Sequence, residues 1–241
     1  MGLRVKEIVK PLVPQRVLAL REILASTKPL HERTCPICDY HGYFSAFGRP
    51  PRLDAKCPKC GSLERDRLFW LSAKRRQLAI EEPILHFAPE PILEDRFRRT
   101  YQDYATADLY ADADLNLDIE NIDLQTGAIR TVICNHVLEH VCDRRALAEL
   151  NRILSDDGRL ICSVPIVEGW ERTYESESVT EPNERALHFG QRDHLRFYGR
   201  DFRDRLRAAG FAKLQEVTAE GRDVVDHSLR RGEKLFVCMK R

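Results

Sequence analysis

The 241-residue chain predicts an α/β fold, a doubly wound and mostly parallel sheet, with a small cysteine-rich module near its N-terminus. Two observations carry this. The first is the block 130–164, where two short apolar runs, Thr131 to Cys134 and Leu160 to Val164, flank a helix whose apolar residues Ala146, Leu147, Leu150, Ile153 and Leu154 recur at helical spacing. Strand, helix, strand is the parallel crossover unit, and ligands bind beyond the carboxyl ends of such strands. The polar turn with Asn135, His136, Glu139 and His140 follows the first of these strands, where chemistry is expected. The second observation is the pair Cys35-Pro-Ile-Cys38 and Cys57-Pro-Lys-Cys60, separated by 18 residues. Each knuckle turns two thiolates toward one point, and four thiolates close a tetrahedron around zinc.

The elements follow in chain order. Residues 3–27 mix apolar and basic positions and are broken at Pro11 and Pro14. Such a segment can touch a membrane surface, but the prolines favour a helix packed on its own domain. The ribbon is expected over 31–62, with Gly42 and Gly61 in tight turns and a short strand within Tyr40 to Phe47. Four cysteine ligands leave no open position, so Cys35, Cys38, Cys57 and Cys60 predict a structural zinc. Ser62 is placed to cap a helix with the apolar face Leu63, Leu68, Trp70, Leu71 and Leu78. The larger domain, 63–241, then opens with a strand at Pro83 to Ala88, a helix from Pro91 to Tyr101 and a strand at Tyr104 to Leu109. A third strand ends at Leu117-Asp118, too close behind the second for a normal crossover, so either the helix between them is reduced to a turn or one strand is degenerate. Asp143 is placed to cap the helix of the 130–164 block, and Asp157-Gly158 forms a tight turn before its second strand. A long insert, Ile166 to Tyr198, precedes a helix at Gly199 to Ala209. Strands at Ala212 to Thr218 and Lys234 to Met239 close the fold, joined by an excursion at Glu220 to Glu233.

Composition bounds the function. A net charge of +1 gives no global drive toward nucleic acid or anionic lipid. No run of about 18 apolar residues exists, so membrane insertion is not expected. The N-terminus lacks the apolar core of a secretion signal, which predicts a reducing cytoplasm in which the cysteines stay unpaired. Cys134, Cys162 and Cys238 lie in apolar runs and read as core.

The block 130–164, with its Val137-Leu138-Glu139-His140 turn and its Arg152-Ile153-Leu154-Ser155-Asp156-Asp157-Gly158 pattern, resembles the class I S-adenosylmethionine-dependent methyltransferases. The resemblance covers roughly the last two thirds of the chain. It implies a Rossmann-like seven-stranded sheet whose last two strands make an antiparallel edge, and S-adenosylmethionine as cofactor. Where the family shows an acid-x-Gly-x-Gly loop, this chain reads His86-Phe87-Ala88-Pro89-Glu90-Pro91. That loop, together with a CPxC…CPxCGSLERxR ribbon, is similar to a subset of bacterial methyltransferase-like sequences.

The resemblance implies a cofactor site made of His86, Ala88 and Glu90 in the first loop, Asp108 and Leu109 after the second strand, Asp118 and Ile119 as the adenine contact, and Asn135 and His136 after the fourth strand. Asp108 also stands on its own spacing, 20 residues past Ala88, where doubly wound folds place the carboxylate for ribose hydroxyls. For an acceptor that must lose a proton, His140, His136 and His194 are the candidate bases. His136 and His140 at this spacing also suggest a metal, which the lack of a further matching ligand argues against. Arg192, His194, Arg196 and Tyr198 of the insert are expected in a substrate lid. The turn Asn135-His136-Val137 lacks the Asn-Pro-Pro-aromatic motif of nitrogen methylation, which points to O- or C-methylation of a small polar metabolite or a sugar or glycan precursor. Two rivals are kept: an RNA methyltransferase gripping RNA with the ribbon, where residues 28–82 hold eleven bases against seven acids, and a non-catalytic scaffold.

Overall fold

The computed structural model describes residues 14–26, 28–48 and 50–240. Residues 3–13 and Thr27 of the expected amphipathic segment lie outside them. The chain divides into two compact units: 1–67 with 221–229, and 68–220 with 230–241.

The first unit carries helix α1 (Gln15–Ser26) and strands β1 (Glu32–Thr34), β2 (His41–Tyr43), β3 (Ser45–Phe47) and β4 (Arg52–Lys56). On α1, Val17, Leu20 and Leu24 are more than half exposed, so these side chains do not supply the packed face expected of it. β1 pairs with β2 and β3 with β4, both antiparallel, which makes the ribbon. Helix α2 (Glu64–Lys74) begins in this unit, and the unit boundary falls after Arg67. The Asp66 carboxylate, not Ser62, takes the helix-start amide of Leu63 (2.8 Å). Ser62 is drawn to the thiols instead, with Oγ 3.2 Å from Cys60 Sγ and 3.5 Å from Cys35 Sγ.

The 220–233 excursion is more than a connector. Residues 221–229 pack in the ribbon unit, where His227 Nδ1 lies 2.8 Å from Thr34 O. Arg67, fully buried, donates to the carbonyls of Ser62, Ala55, His227 and Ser228 at 2.6, 3.0, 2.8 and 2.7 Å. Its guanidinium also lies over the Phe44 ring, and burial pulls its pKa down. Among the described residues no carboxylate pairs with it directly; four carbonyl dipoles face it instead.

The second unit holds β5 (Ile84–Phe87), α3 (Pro91–Thr100), β6 (Tyr104–Asp108), β7 (Leu115–Asn116), β8 (Ile129–Asn135), α4 (Asp143–Ile153) and β9 (Leu154–Ser163). It continues with β10 (Tyr174–Glu175), α5 (Pro182–Phe189), β11 (Arg196–Phe197), α6 (Phe202–Ala208), β12 (Lys213–Thr218) and β13 (Lys234–Met239). The seven-stranded sheet has the order β12-β13-β9-β8-β5-β6-β7. The pairs β5–β6, β5–β8, β6–β7 and β8–β9 are parallel, and β13 is antiparallel to both neighbours. This is the expected doubly wound sheet with an antiparallel edge. The chain leaves β5 toward β6 and β7, then returns to β8, so the topological switch lies between β5 and β8. The β6–β7 crossover contains no helix and β7 is two residues long, so both proposed economies occur together.

Three local expectations change. Asp143 opens α4 but makes no capping bond. Its Oδ2 is taken by Arg205 Nη1 (2.8 Å) and the Tyr198 hydroxyl (3.1 Å). The Asp157-Gly158 turn lies inside β9, where the register against β8 shifts. A Cβ on Gly158 would come 2.9 Å from Ser155 O, so the bulge needs glycine. The long insert has structure of its own: β10 and β11 pair antiparallel with α5 between them. Leu85, Phe87, Val132, Cys134, Leu160 and Cys162 share one core with Leu147 and Leu150 of α4 and Phe202 of α6. No helix among the described residues is long and apolar enough to cross a membrane.

Candidate functional site

The carboxyl ends of β5, β6 and β8 meet at the switch point. Two residues there hold left-handed backbone without being glycine, Ala88 (φ 44°) after β5 and His136 (φ 53°) after β8. Such a conformation costs an L-residue roughly 1–2 kcal/mol and persists where the surroundings enforce it. Each is held by a strand-end bond, Ala88 N to Ala107 O (2.9 Å) and His136 N to Ser163 O (2.8 Å). Ala88 thus supplies the backbone form for which the family's glycine is used. Pro91 costs nothing, because it stands at the start of α3, where an amide has no helical partner.

The candidate cofactor residues part into two groups. Asp108, Leu109 and Asp118 reach solvent, and Asn135 ends β8. Asp108 Oδ1 accepts from the amides of Tyr110 and Ala111, both at 2.7 Å, which fixes the carboxylate at the end of β6. Asp118 Oδ1 accepts from Glu120 N (2.9 Å), and Asn135 Oδ1 accepts from the Ser163 hydroxyl (3.1 Å). His86, by contrast, is fully buried, with Nδ1 2.9 Å from the Tyr104 hydroxyl and its ring near Phe97 of α3. It supports the loop from within, with Glu90 Oε2 3.7 Å from its Nε2. Ile119 is likewise committed to the core. Both are thus buried at positions where the resemblance implied contact with the cofactor. Tyr110, 93% exposed beside Asp108, was not singled out by sequence, since nothing about a tyrosine in an acidic loop distinguishes it.

The histidines come together with a residue the sequence did not single out as a ligand. His140 and His194, 54 positions apart, stack edge to face with ring centroids 4.7 Å apart. Between them and His136 lies Glu139, 1% exposed, with Oε1 3.2 Å from His136 Nδ1. His140 Nδ1 faces Asp193 Oδ2 at 3.1 Å, and His194 Nδ1 donates to Phe189 O at 3.0 Å. Burial lowers the pKa of His194 below its ordinary value, which keeps the ring neutral at neutral pH. The insert is clipped to this turn by Leu195 N to Glu139 O (2.8 Å) and by Arg196 Nη1 to the carbonyls of Leu138 and Val141 (2.8 and 2.7 Å). Arg196 and Tyr198 are therefore buried struts of the turn and not groups for an acceptor; Arg192 is exposed.

In the ribbon unit, the four cysteine sulfurs lie within 4.8 Å of one another, with Cys35–Cys60 at 3.6 Å and Cys38–Cys57 at 3.7 Å. A zinc–sulfur distance of about 2.3 Å in a tetrahedron requires roughly 3.8 Å between sulfurs, so the cluster is compatible with zinc. The two knuckles repeat one geometry. Asp39 N bonds to Cys35 O and Gly61 N to Cys57 O, with Asp39 and Gly61 both at positive φ. The basic surface considered for RNA is thinner than its composition. Arg67 is buried, Arg33 pairs with Asp54 and Arg52 with Glu64.

A family profile for a methyltransferase domain matches residues 70–216, more than half of the chain. The chain belongs to this family. It is an S-adenosylmethionine-dependent methyltransferase, and its seven strands and antiparallel edge are those the resemblance implied. Solved structures similar to this methyltransferase include an S-adenosylmethionine-dependent methyltransferase from Mesorhizobium loti (14% identity, TM-score 0.48, 70% of this chain and 97% of that one). Another is from Archaeoglobus fulgidus (9%, 0.47, 72% and 94%). A third is a chain from the complex of the Trm112 methyltransferase activator with a methyltransferase of Haloferax volcanii (19%, 0.45, 73% and 91%). No curated protein matches the chain.

Proposed function

We propose that this methyltransferase transfers the sulfonium methyl group to an oxygen, or to an acidic carbon, of a small polar metabolite such as a sugar or glycan precursor. The observation that carries the reading is the convergence of left-handed Ala88 and His136, the Asp108 carboxylate and the Glu139-His140-His194 cluster on the strand ends flanking one switch point. The bound cofactor supplies a methyl already activated by positive charge, so the protein's work is alignment and handling of the acceptor proton. Asp108 accepts the ribose hydroxyls with the oxygen not used by its own turn. The left-handed Ala88 turns the first loop at the end of β5 without a glycine. Asn135 and His136 form the floor shared by cofactor and acceptor. The His140–His194 pair, with His194 held neutral by desolvation, orients the acceptor and takes its proton. In the ribbon we assign Cys35, Cys38, Cys57 and Cys60 as ligands of a structural zinc. The insert, bound to the 138–141 turn, closes the acceptor end as a fixed wall, not as a loose lid.

Calorimetry with S-adenosylhomocysteine tests the cofactor assignment. Saturable binding at one site is expected, weakened about tenfold in Asp108→Ala by loss of the ribose partner. Absence of binding at millimolar ligand would overturn the reading in favour of a scaffold. A salt-sensitive electrophoretic shift on bulk tRNA would instead favour an RNA acceptor.

A further inference from the structure

We propose that Glu139, His140 and His194 bind one divalent first-row transition ion, positioned to hold an oxygen of the methyl acceptor. The proposal rests on reading this end of the sheet as the acceptor end. One ligand atom from each residue lies within 4.8 Å of the other two. The donor set is two imidazoles and a carboxylate, which suits zinc, iron(II), cobalt or nickel better than magnesium or calcium, whose sites are built from oxygen.

Three features go beyond proximity. The first is the orientation of the rings. His194 spends its Nδ1–H on the Phe189 carbonyl, and His140 directs Nδ1 at Asp193, which leaves Nε2 as the lone pair on each. A carbonyl or carboxylate behind the imidazole is how metal sites fix the tautomer and raise ligand basicity. The second is Glu139 Oε2, which is buried and has no hydrogen-bond partner among the described residues. A buried carboxylate oxygen without a donor is costly, and a cation removes that cost. The third is rigidity. The Leu195 amide bonds to Glu139 O, so the two halves of the site are joined by backbone.

Three protein ligands leave coordination positions open, as in catalytic metal sites. An acceptor with a hydroxyl beside a second oxygen, a vicinal diol or a hydroxy acid, fills two such positions as a chelate. Coordination lowers the hydroxyl pKa, so its proton passes to water before transfer. The oxygen pair then forms the O–CH3 bond, and the S–CH3 pair returns to sulfur. The Glu-His-His set thereby takes over from a free histidine base.

The test uses the full chain with its ribbon metal left in place. Co2+ is titrated by calorimetry, and the loaded protein is examined by X-ray absorption at the cobalt edge. One Co2+ per chain with a shell of nitrogen and oxygen is expected. A sulfur shell, or no saturable binding, would overturn the site. Glu139→Gln and His194→Ala should each weaken Co2+ by more than about 100-fold, and Asp193→Ala by about tenfold, since partners behind a ligand are themselves worth 10–100-fold. Unchanged affinity in the first two would also sink it. S-adenosylhomocysteine binding, measured on the same samples, reports separately on the cofactor site. Wild-type protein that binds the nucleoside but not Co2+ loses only the metal site. Wild-type protein that binds Co2+ but not the nucleoside loses only the methyltransfer reading. Should a variant fail to fold, the cobalt-edge spectrum of wild type decides alone.

Discussion

The ribbon's four cysteines and the Glu139-His140-His194 cluster are both sets of metal-grade donors, assembled in opposite ways. In the ribbon, two hairpin knuckles each place a pair of sulfurs through local backbone bonds, Cys35 O to Asp39 N and Cys57 O to Gly61 N. Four ligands close the polyhedron, so the site can hold structure but has no position for a substrate. At the strand ends, three donors come from a turn after β8 and from an insert 54 positions later, and the set stays open. Local geometry builds a staple; a crossover and a folded insert build a place for chemistry. Burial differs in purpose too. Arg67 of the ribbon unit is buried with four carbonyls accepting from its guanidinium, whereas Glu139 is buried with one oxygen left over among the described residues.

The largest expected effect tests whether the ribbon depends on the proposed zinc. Chelation, or Cys57→Ser, should abolish hydrogen-exchange protection in 31–62 and 221–229 while β5, β8 and β9 keep theirs, because structural zinc contributes on the order of 10 kcal/mol to such small folds. Equal loss in both units would break the contrast. Next in size is Arg67→Met, expected to destabilise the ribbon unit by about 3–5 kcal/mol, since four carbonyls lose a charged donor at once. Its readout is the denaturant midpoint for that unit. Asp108→Ala, at roughly 1–2 kcal/mol, should appear only in nucleoside affinity and not in unfolding, which separates an open site from a structural one. The smallest effect is at the sheet edge. Hydrogen bonds and charge from Arg203, then Lys234, hold the Glu216 carboxyl down at about 2, below its unfolded value. A depressed carboxyl contributes stability that is fully present above the unfolded value and is lost as pH falls from about 5 toward 2. With the Glu216 side chain partly exposed, the contribution is about 1 kcal/mol or less. Glu216→Gln should therefore flatten the melting temperature of the sheet unit over that range. The ribbon's acid response should be abrupt by comparison, as protonated thiols release metal.

Short-range order was readable in the sequence because it is written in spacing. The Cys-x-x-Cys knuckles, the apolar runs of β5, β8 and β9, and the helical repeat of α4 each depend on residues a few positions apart, and each occurs where expected except that Leu154, read as the helix's last apolar position, opens β9. Pairings across the chain were not readable. His86 sits in β5, where all four residues are buried, so alternation could not tell which face it takes, and only its packing on Tyr104 removes it from the ligand side. Asp143 has a capping residue's position, yet Arg205 and Tyr198 claim its carboxylate from other elements. Ser62 loses its cap to Asp66 and turns to the cysteines. By itself, then, the sequence determined the ribbon, the doubly wound sheet and the end of the strands at which chemistry belongs. Only the tertiary structure decided that Glu139 meets His140 and His194, and that 221–229 completes the ribbon unit. The physical reason is that backbone propensity and apolar period act over a few residues, while a polar side chain's partner is chosen by whatever the folded chain brings within 3 Å of it.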